Sequence, residues 1–405
     1  MIDIKLLREN PEKVKKACQN KRVVVDIDKI LEIDKKKREL IQQIENLKAE
    51  KNKLAAKDIE KGKELKEKIK QLEPELENLE KEFNELFLQI PNLPLDDVPI
   101  GKDEGGNKTI KTWDQPKAGQ LKSNYLDLAE KLDIIDVKRA AKVAGTRFGY
   151  IKGGAAMLEM GLIGLVFDVL TKEGFIPVFP PVMIKPEMMK AMGYIERGGD
   201  EIYYIPSDNM YLIGTSEQSV GPMHSNEVFN EKDLPKRYIS FSTCFRKEAG
   251  SYGKDTKGIL RVHQFDKVEM FVFCKPEDST KEHKLLLSME EKLMKLLKIP
   301  YRVVQMCTGD LGDPAAAKYD IETWLPGQNE YRETHSTSNC TDFQARRLNV
   351  KYKTKNGLEF VHTLNGTAFA IGRTIIAIIE NYQQKDGSIK VPKVLQKYIK
   401  IKAIK

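Results

Sequence analysis

From Leu65 to Ile90 the apolar side chains fall at Leu65, Ile69, Leu72, Leu76, Leu79, Phe83, Leu86 and Ile90, with spacings that alternate between four and three. That period marks a helix with a narrow apolar seam. Upstream, Ile33, Leu40, Leu47 and Leu54 recur every seven residues; Ile30 and Ile44 share the companion position, which Lys37 and Lys51 interrupt. Nearly everything between is Lys, Glu, Gln or Asn. A two-residue seam is too narrow for a core helix, which needs a wider apolar stripe. The pattern therefore predicts two helices of about 28 residues, each about 40 Å long at 1.5 Å per residue. They pair as an antiparallel hairpin, with the break at residues 55–63 and Gly62 as turn residue. Pro74 should kink the second helix or cost it a hydrogen bond. On periodicity alone, a dimerising coiled coil and an arm that grips an extended polyanion are both open. The flanking lysines do not decide it, because many are matched by glutamates.

The rest of the chain differs in kind. Residues 91–120 cluster Pro, Gly and Asp without a sustained period and read as a linker. The chain divides into a helical arm at 1–105, a connection at 106–130 and a globular body at 131–405. In the body, helical patterns cover 129–143, 155–173 and 368–382. Strand-like runs cover 174–182, 203–213, 236–245, 267–274, 301–306, 318–325 and 357–363. Successive strands with few crossover helices predict an α+β fold on an antiparallel sheet. With 405 residues, two or three domains are expected. The N-terminus lacks a signal-peptide apolar region, and no apolar stretch approaches the ~18 residues of a membrane span. Five cysteines without a CxxC argue against a disulfide framework and a zinc knuckle. These features predict a cytoplasmic protein that needs no zinc or membrane. The net charge of +8 permits a polyanionic partner without establishing one.

Three segments place polar groups in apolar surroundings: LIGTSE (212–217), FRKE (245–248) leading through a Gly/Lys loop to ILRVHQFDKVE (259–269), and LNGTAFAIGR (364–373). RETHS (332–336) lies between the last two. FRxE, a loop and RxxxFxxxE resemble motif 2 of the class II aminoacyl-tRNA synthetases. NGTAFAIGR resembles their motif 3, and GFIPVFPPVM, with Pro181, resembles motif 1 at a dimer interface. Together with the helical arm, CTGDLG (307–312) and RETHS in order, the chain is similar to the seryl-tRNA synthetase family from Met1 to about Tyr398.

The resemblance implies the following. L-Serine is activated with ATP and passed to tRNA(Ser), and to tRNA(Sec) where it exists; Mg²⁺ assists. The first reaction joins two anions, so positioning and charge neutralisation dominate. Arg246 suits the bridge between the serine carboxylate and the α-phosphate, because guanidinium is planar, multidentate and always charged. Arg373 and Arg261 would hold the β- and γ-phosphates. Adenine would lie between the Phe265 ring and Arg373, with Glu248 accepting from its amino group. Lys247, Val262, Thr334 and His335 complete the ATP set, and Glu333 with Ser336 offers oxygens to Mg²⁺. Thr215, Ser216, Glu217, Arg246, Glu269, Asn365 and Thr367 form the serine set, with Arg246, Glu269 and Arg373 as the catalytic core. A site built to hydrogen-bond a hydroxyl rejects alanine by leaving polar groups unpaired. Lys254 and Lys257 would meet the tRNA acceptor end, and the arm would lie on the tRNA of a homodimer.

Taken singly, these residues have plainer readings: Arg-x-Glu as a surface ion pair, Phe265 as core, 215–217 as a helix cap. His263 reads as structural, since an ionised carboxylate needs no base. Joint occurrence outweighs them. Threonyl, prolyl, histidyl and glycyl relatives typically place a further domain after motif 3, where only residues 374–405 remain. An RNA-binding paralogue without activity would be marked by loss of Arg246, Glu269 or Arg373, and all three are present.

Overall fold

The computed structural model describes residues 1–54, 58–116, 121–197, 199–249, 255 and 257–405. The chain forms two compact units, Met1–Leu93 and Pro94–Lys405.

The first unit opens with two short helices and continues into α1 (Ile27–Asn52) and α2 (Ile59–Phe87). Asp26 caps α1 by accepting from the Lys29 amide. The two long helices run antiparallel: Lys29 pairs with Glu82 at 2.9 Å, Lys48 with Glu73 at 3.2 Å and Lys61 with Glu50 at 3.0 Å. Leu40, Ile44 and Ile69 are buried in the seam, and Leu47, Leu72, Leu76 and Leu79 pack against them. Lys37, which interrupts the heptad, places its ammonium 3.9 Å from the Phe83 ring centroid. Buried Asp34 accepts two hydrogen bonds from Arg8 at 2.8 Å and one from Arg38 at 3.1 Å. Of the expected break, residues 55–57 lie outside the described residues. Gly62 is not the turn: it sits in the first turns of α2, which also continues through Pro74. Helical neighbours on both sides carry the helix past the one amide that Pro74 lacks.

The second unit is built on an eight-stranded sheet. Its strands are β1 (Lys108–Trp113), β2 (Ile176–Val178), β3 (Lys236–Phe245), β4 (Gln264–Cys274), β5 (Tyr301–Gln305), β6 (Ala317–Leu325), β7 (Glu330–Asn339) and β8 (His362–Ala370). The spatial order is β1-β5-β6-β7-β8-β4-β3-β2, antiparallel except for the parallel β2–β3 pair. The α+β expectation holds. Helices α3 (Gly153–Thr171), α4 (Ser279–Leu297) and α5 (Ile371–Tyr382) pack against the sheet. Leu158, Leu162, Ile375, Val268 and Val272 are among the fully buried residues of this core. Each such side chain contributes about 1.5–3 kcal/mol by leaving water.

Several elements depart from expectation. The segment read as linker contains β1, paired with β5. The helical pattern at 129–143 is two helices, Tyr125–Lys131 and Val137–Ala144, separated by a short strand. The helix expected from 368 starts at Ile371, because β8 runs on to Ala370. By length and composition alone α3 could cross a membrane, which the sequence reading did not foresee. In this fold its Leu158, Leu162, Leu165 and Leu170 are core residues.

Candidate active site

The central strands β4, β7 and β8, with Lys318 of β6, floor a cavity of about 540 Å³. Successive strand residues face opposite ways, so Phe265, Lys267 and Glu269 of β4 share one face, and all three line the cavity. Asp266, between them, faces the other way and accepts from Thr243 at 2.6 Å.

Two β-bulges set the remaining faces. Ile321 pairs with His335 and Glu322 with Glu333, which leaves Thr334 as an extra residue on β7. In an unbulged strand Glu333 and Ser336, three apart, would face opposite ways; the bulge absorbs one residue, and both line the cavity. On β8, Val268 pairs with Phe369 and Glu269 with Thr367, so Ala368 is extra. Asn365, Thr367 and Ala370 consequently line the same cavity.

One cluster of groups is compact and buried. The Lys267 ammonium bonds Thr215 Oγ1 at 2.7 Å and forms an ion pair with Glu269. The Thr367 hydroxyl donates to Glu269 at 3.4 Å. Beside it, Glu217 accepts from the Tyr194 hydroxyl at 2.7 Å and from Gln344 Nε2 at 2.8 Å. Burial pushes the Glu217 carboxyl up, and those two donors partly oppose the shift.

The second cluster is cationic. Arg246 donates from Nε to the Gly214 carbonyl at 3.1 Å, and its guanidinium lies 5.2 Å from the Phe265 ring centroid. Glu248 accepts from Arg261 at 2.7 Å. Arg373 donates to the Glu333 carbonyl at 2.9 Å and pairs with its carboxylate at 3.2 Å. Loss of hydration raises the Glu333 carboxyl, but Arg373 and Lys318 outweigh it and hold the group down at about 2. Burial lifts Asp320, opposite Ser336 across the ladder, to about 7 despite Lys318 at 3.4 Å. The Glu333 carboxylate and Ser336 hydroxyl are hard oxygen donors on one wall. They fit Mg²⁺, which binds through few protein oxygens and shares the rest of its shell with phosphate and water. Among the described residues no group of three or more His, Cys, Asp or Glu is placed to hold a metal by itself.

A cavity with an acidic, hydroxyl-lined end and an arginine-rich end is the geometry that the family resemblance calls for. Residues 1–94 match the seryl-tRNA synthetase N-terminal domain, and residues 203–382 match the tRNA synthetase class II core domain (G, H, P, S and T). The serine–tRNA ligase of Dictyoglomus thermophilum is 46% identical over 422 residues, covering 100% of this chain and 99% of that protein. That of Fusobacterium nucleatum is 48% identical over 414 residues, covering 98% of each. The crystal structure of seryl-tRNA synthetase from Pyrococcus horikoshii complexed with ATP superposes with a TM-score of 0.93 at 41% identity, covering 100% of this chain and 99% of that one. This chain belongs to the seryl-tRNA synthetase family.

Most residues that the seryl-tRNA synthetase resemblance singles out do converge on the cavity: Thr215, Glu217, Arg246, Glu248, Arg261, Val262, Phe265, Glu269, Glu333, Thr334, Ser336, Asn365, Thr367 and Arg373. Three do not. Ser216, at the N-cap of the short helix Glu217–Val220, turns away and its hydroxyl meets Ser240 at 2.7 Å. Lys247 reaches toward the Tyr203 ring at 5.9 Å. His335 lies behind the sheet against Phe369, with Nδ1 2.8 Å from Thr334 Oγ1. Lys254 lies outside the described residues, and Lys257 is exposed. His263 is structural, with Nδ1 3.0 Å from the Arg246 carbonyl. The sequence reading did not single out Lys267, Tyr194, Gln344 or Asp320. Only Lys267 carried a usable signal, a lysine two residues before Glu269 on a strand and so on the same face.

Proposed function

We propose that this chain activates L-serine with ATP to seryl-adenylate and pyrophosphate, then transfers the seryl group to tRNA(Ser). The convergence of Thr215, Glu269 and Thr367 with Arg246, Phe265 and Arg373 on one cavity carries this reading. Glu269 and Thr215 take the substrate ammonium, with Glu269 and Thr367 on its hydroxyl. Arg246 holds the carboxylate against the α-phosphate. A carboxylate oxygen bonds to the α-phosphorus as the bond to the bridging oxygen of the β-phosphate breaks, and pyrophosphate leaves. No proton moves, so no general base is required. Arg261 and Arg373 neutralise the departing phosphates, and Glu248 orients adenine over Phe265. Glu333 and Ser336 would hold Mg²⁺, which offsets phosphate charge when bound.

The helical unit is the tRNA-binding arm of the N-terminal domain, read as 1–105, and acts on a cytoplasmic tRNA through backbone and shape rather than base edges. Lys254 and Lys257 meet the acceptor end, and tRNA(Sec) is charged where it exists. Residues 131–405 are the catalytic domain after the 106–130 connection. The dimer forms through an exposed apolar surface near Pro181, where Phe179 is 72% and Met160 64% accessible and Met157, Ile176 and Met183 are also exposed. The deciding test is serine-dependent exchange of pyrophosphate into ATP, with alanine, threonine, cysteine and glycine in parallel. Exchange strongest with serine supports the reading, and stronger exchange with another of the four overturns the pocket assignment.

A further inference from the structure

Lys267 is a cation in the wrong place for a purely structural lysine. The residue is 6% accessible, yet it lines the substrate cavity rather than the core. Its ammonium bonds Thr215 and pairs with Glu269. Those are the two groups that the proposed function gives to the substrate ammonium. Lys267 therefore occupies the seat that this reading gives to the substrate's own charge. Its stem leaves the strand between Phe265 and Glu269, about 7 Å from each along the strand and on the same face. Adenine belongs at Phe265 and the amino group at Glu269, so the serine carboxylate and α-phosphate must meet between them, in front of Lys267.

We propose that Lys267 is a displaceable surrogate for the substrate ammonium, and that serine binding frees it to neutralise the carboxylate–α-phosphate junction beside Arg246. This rests on the adenylation reading given above. Two ammonium groups cannot share the single Glu269 carboxylate without strong like-charge repulsion in a site this dry. The flexible four-carbon stem lets the displaced group move, which a guanidinium locked in a fork would resist. The one other destination is inward. Glu290 is fully buried beside Gly366, and among the described residues neither of its carboxyl oxygens has a hydrogen-bond partner. Burial pushes that carboxyl well up from its ordinary range, so it offers a cation less than two substrate anions do. The device has a functional consequence. The second cation reaches the reacting atoms only after serine is seated, so ATP alone meets a site with Arg246 ready and Lys267 engaged elsewhere. The reaction itself is unchanged: one carboxylate oxygen–phosphorus bond forms, one phosphorus–oxygen bond breaks, and pyrophosphate departs.

The test is Lys267→Gln, which can still hydrogen-bond Thr215 and Glu269 but carries no charge. Serine-dependent pyrophosphate exchange gives kcat, and calorimetry without ATP gives the serine Kd. We expect kcat to fall by about 100-fold or more, with the serine Kd unchanged or tightened by up to about tenfold because the competing cation is gone. Lys267→Arg, which keeps the charge, should retain more kcat than Lys267→Gln. A kcat within about threefold of the parent overturns the proposal, as it would if the lysine simply retreats to Glu290. A serine Kd that weakens in step with the loss of kcat/KM also overturns it, leaving Lys267 as a prop for the pocket. If Lys267→Gln does not fold, Lys267→Met carries the same readings. If the parent chain itself shows no exchange with serine, the adenylation reading falls; if only the Lys267 variants behave like the parent, the surrogate role alone falls.

Discussion

Arg246 is held in place by the protein's own groups. The Gly214 carbonyl fixes Nε and the Phe265 face supports the guanidinium, so little reorganisation remains for the reaction to require. Arg246→Ala should lower serine-dependent pyrophosphate exchange by about 10²–10³-fold with an unchanged thermal midpoint. Tyr194 acts one step back, since its hydroxyl donates to Glu217. Tyr194→Phe should raise the serine KM about tenfold, the effect of one lost charge-assisted bond, while leaving the ATP KM within about twofold. Titration adds a third residue-scale expectation. Burial pushes His283 down to about 4 and His335 down to about 3, from an ordinary value of 6.5. The unfolded chain takes up those protons below pH 6.5 while the folded chain resists. Stability from both is complete above pH 6.5 and declines as pH falls toward 4, at up to about 1.4 kcal/mol per pH unit for each histidine. The thermal midpoint measured from pH 7 to 4.5 should fall, and His283→Gln should flatten the slope. Residue identity was legible in the motif strings. The partner of each residue was not, which is why Ser216, Lys247 and His335 sat in the expected site and Lys267 did not.

At the scale of elements, the least hydrophobic strand does the most for the site. β7 reads EYRETHSTSN, with no apolar alternation, and the sequence reading found no strand there. It is buried between β6 and β8, one face turned to the cavity. α4 was missed for a related reason. Its buried face includes Glu282, His283, Glu290 and Glu291, which break the apolar stripe that marks a helix. Glu282 is matched by Arg237 through bonds of 2.7 and 2.6 Å, a partner 45 residues away that no local pattern discloses. The Thr334 bulge is testable. Deleting Thr334 should make the β6–β7 register regular and leave Glu333 and Ser336 two apart, still on one face. Exchange should stay within about tenfold with far-UV circular dichroism unchanged, because the alternation keeps both oxygens aimed at the cavity. A loss of about 100-fold or more would show that the bulge itself, beyond the facing it sets, places these oxygens.

For the whole molecule, the division at Leu93 separates two kinds of stability. The first unit rests on a thin seam and cross-helix ion pairs; the second has a large continuous core around the sheet. A chain beginning at Pro94 should keep serine-dependent pyrophosphate exchange within a few-fold and lose charging of tRNA(Ser), since adenylation draws on the second unit alone. Loss of both activities, from a folded truncated chain, would tie the arm to adenylation. The heptads, the α+β class and the chemical content of the motifs came from the sequence by itself, because periodicity and residue type act over a few neighbours. The tertiary structure decided which face each motif residue presents. That choice depends on register between strands far apart in the chain, where one extra residue at Thr334 or Ala368 reverses the direction of everything beyond it. It also decided that Lys267 meets Thr215, 52 residues away, an encounter that arises only when the loop carrying Thr215 packs over the sheet.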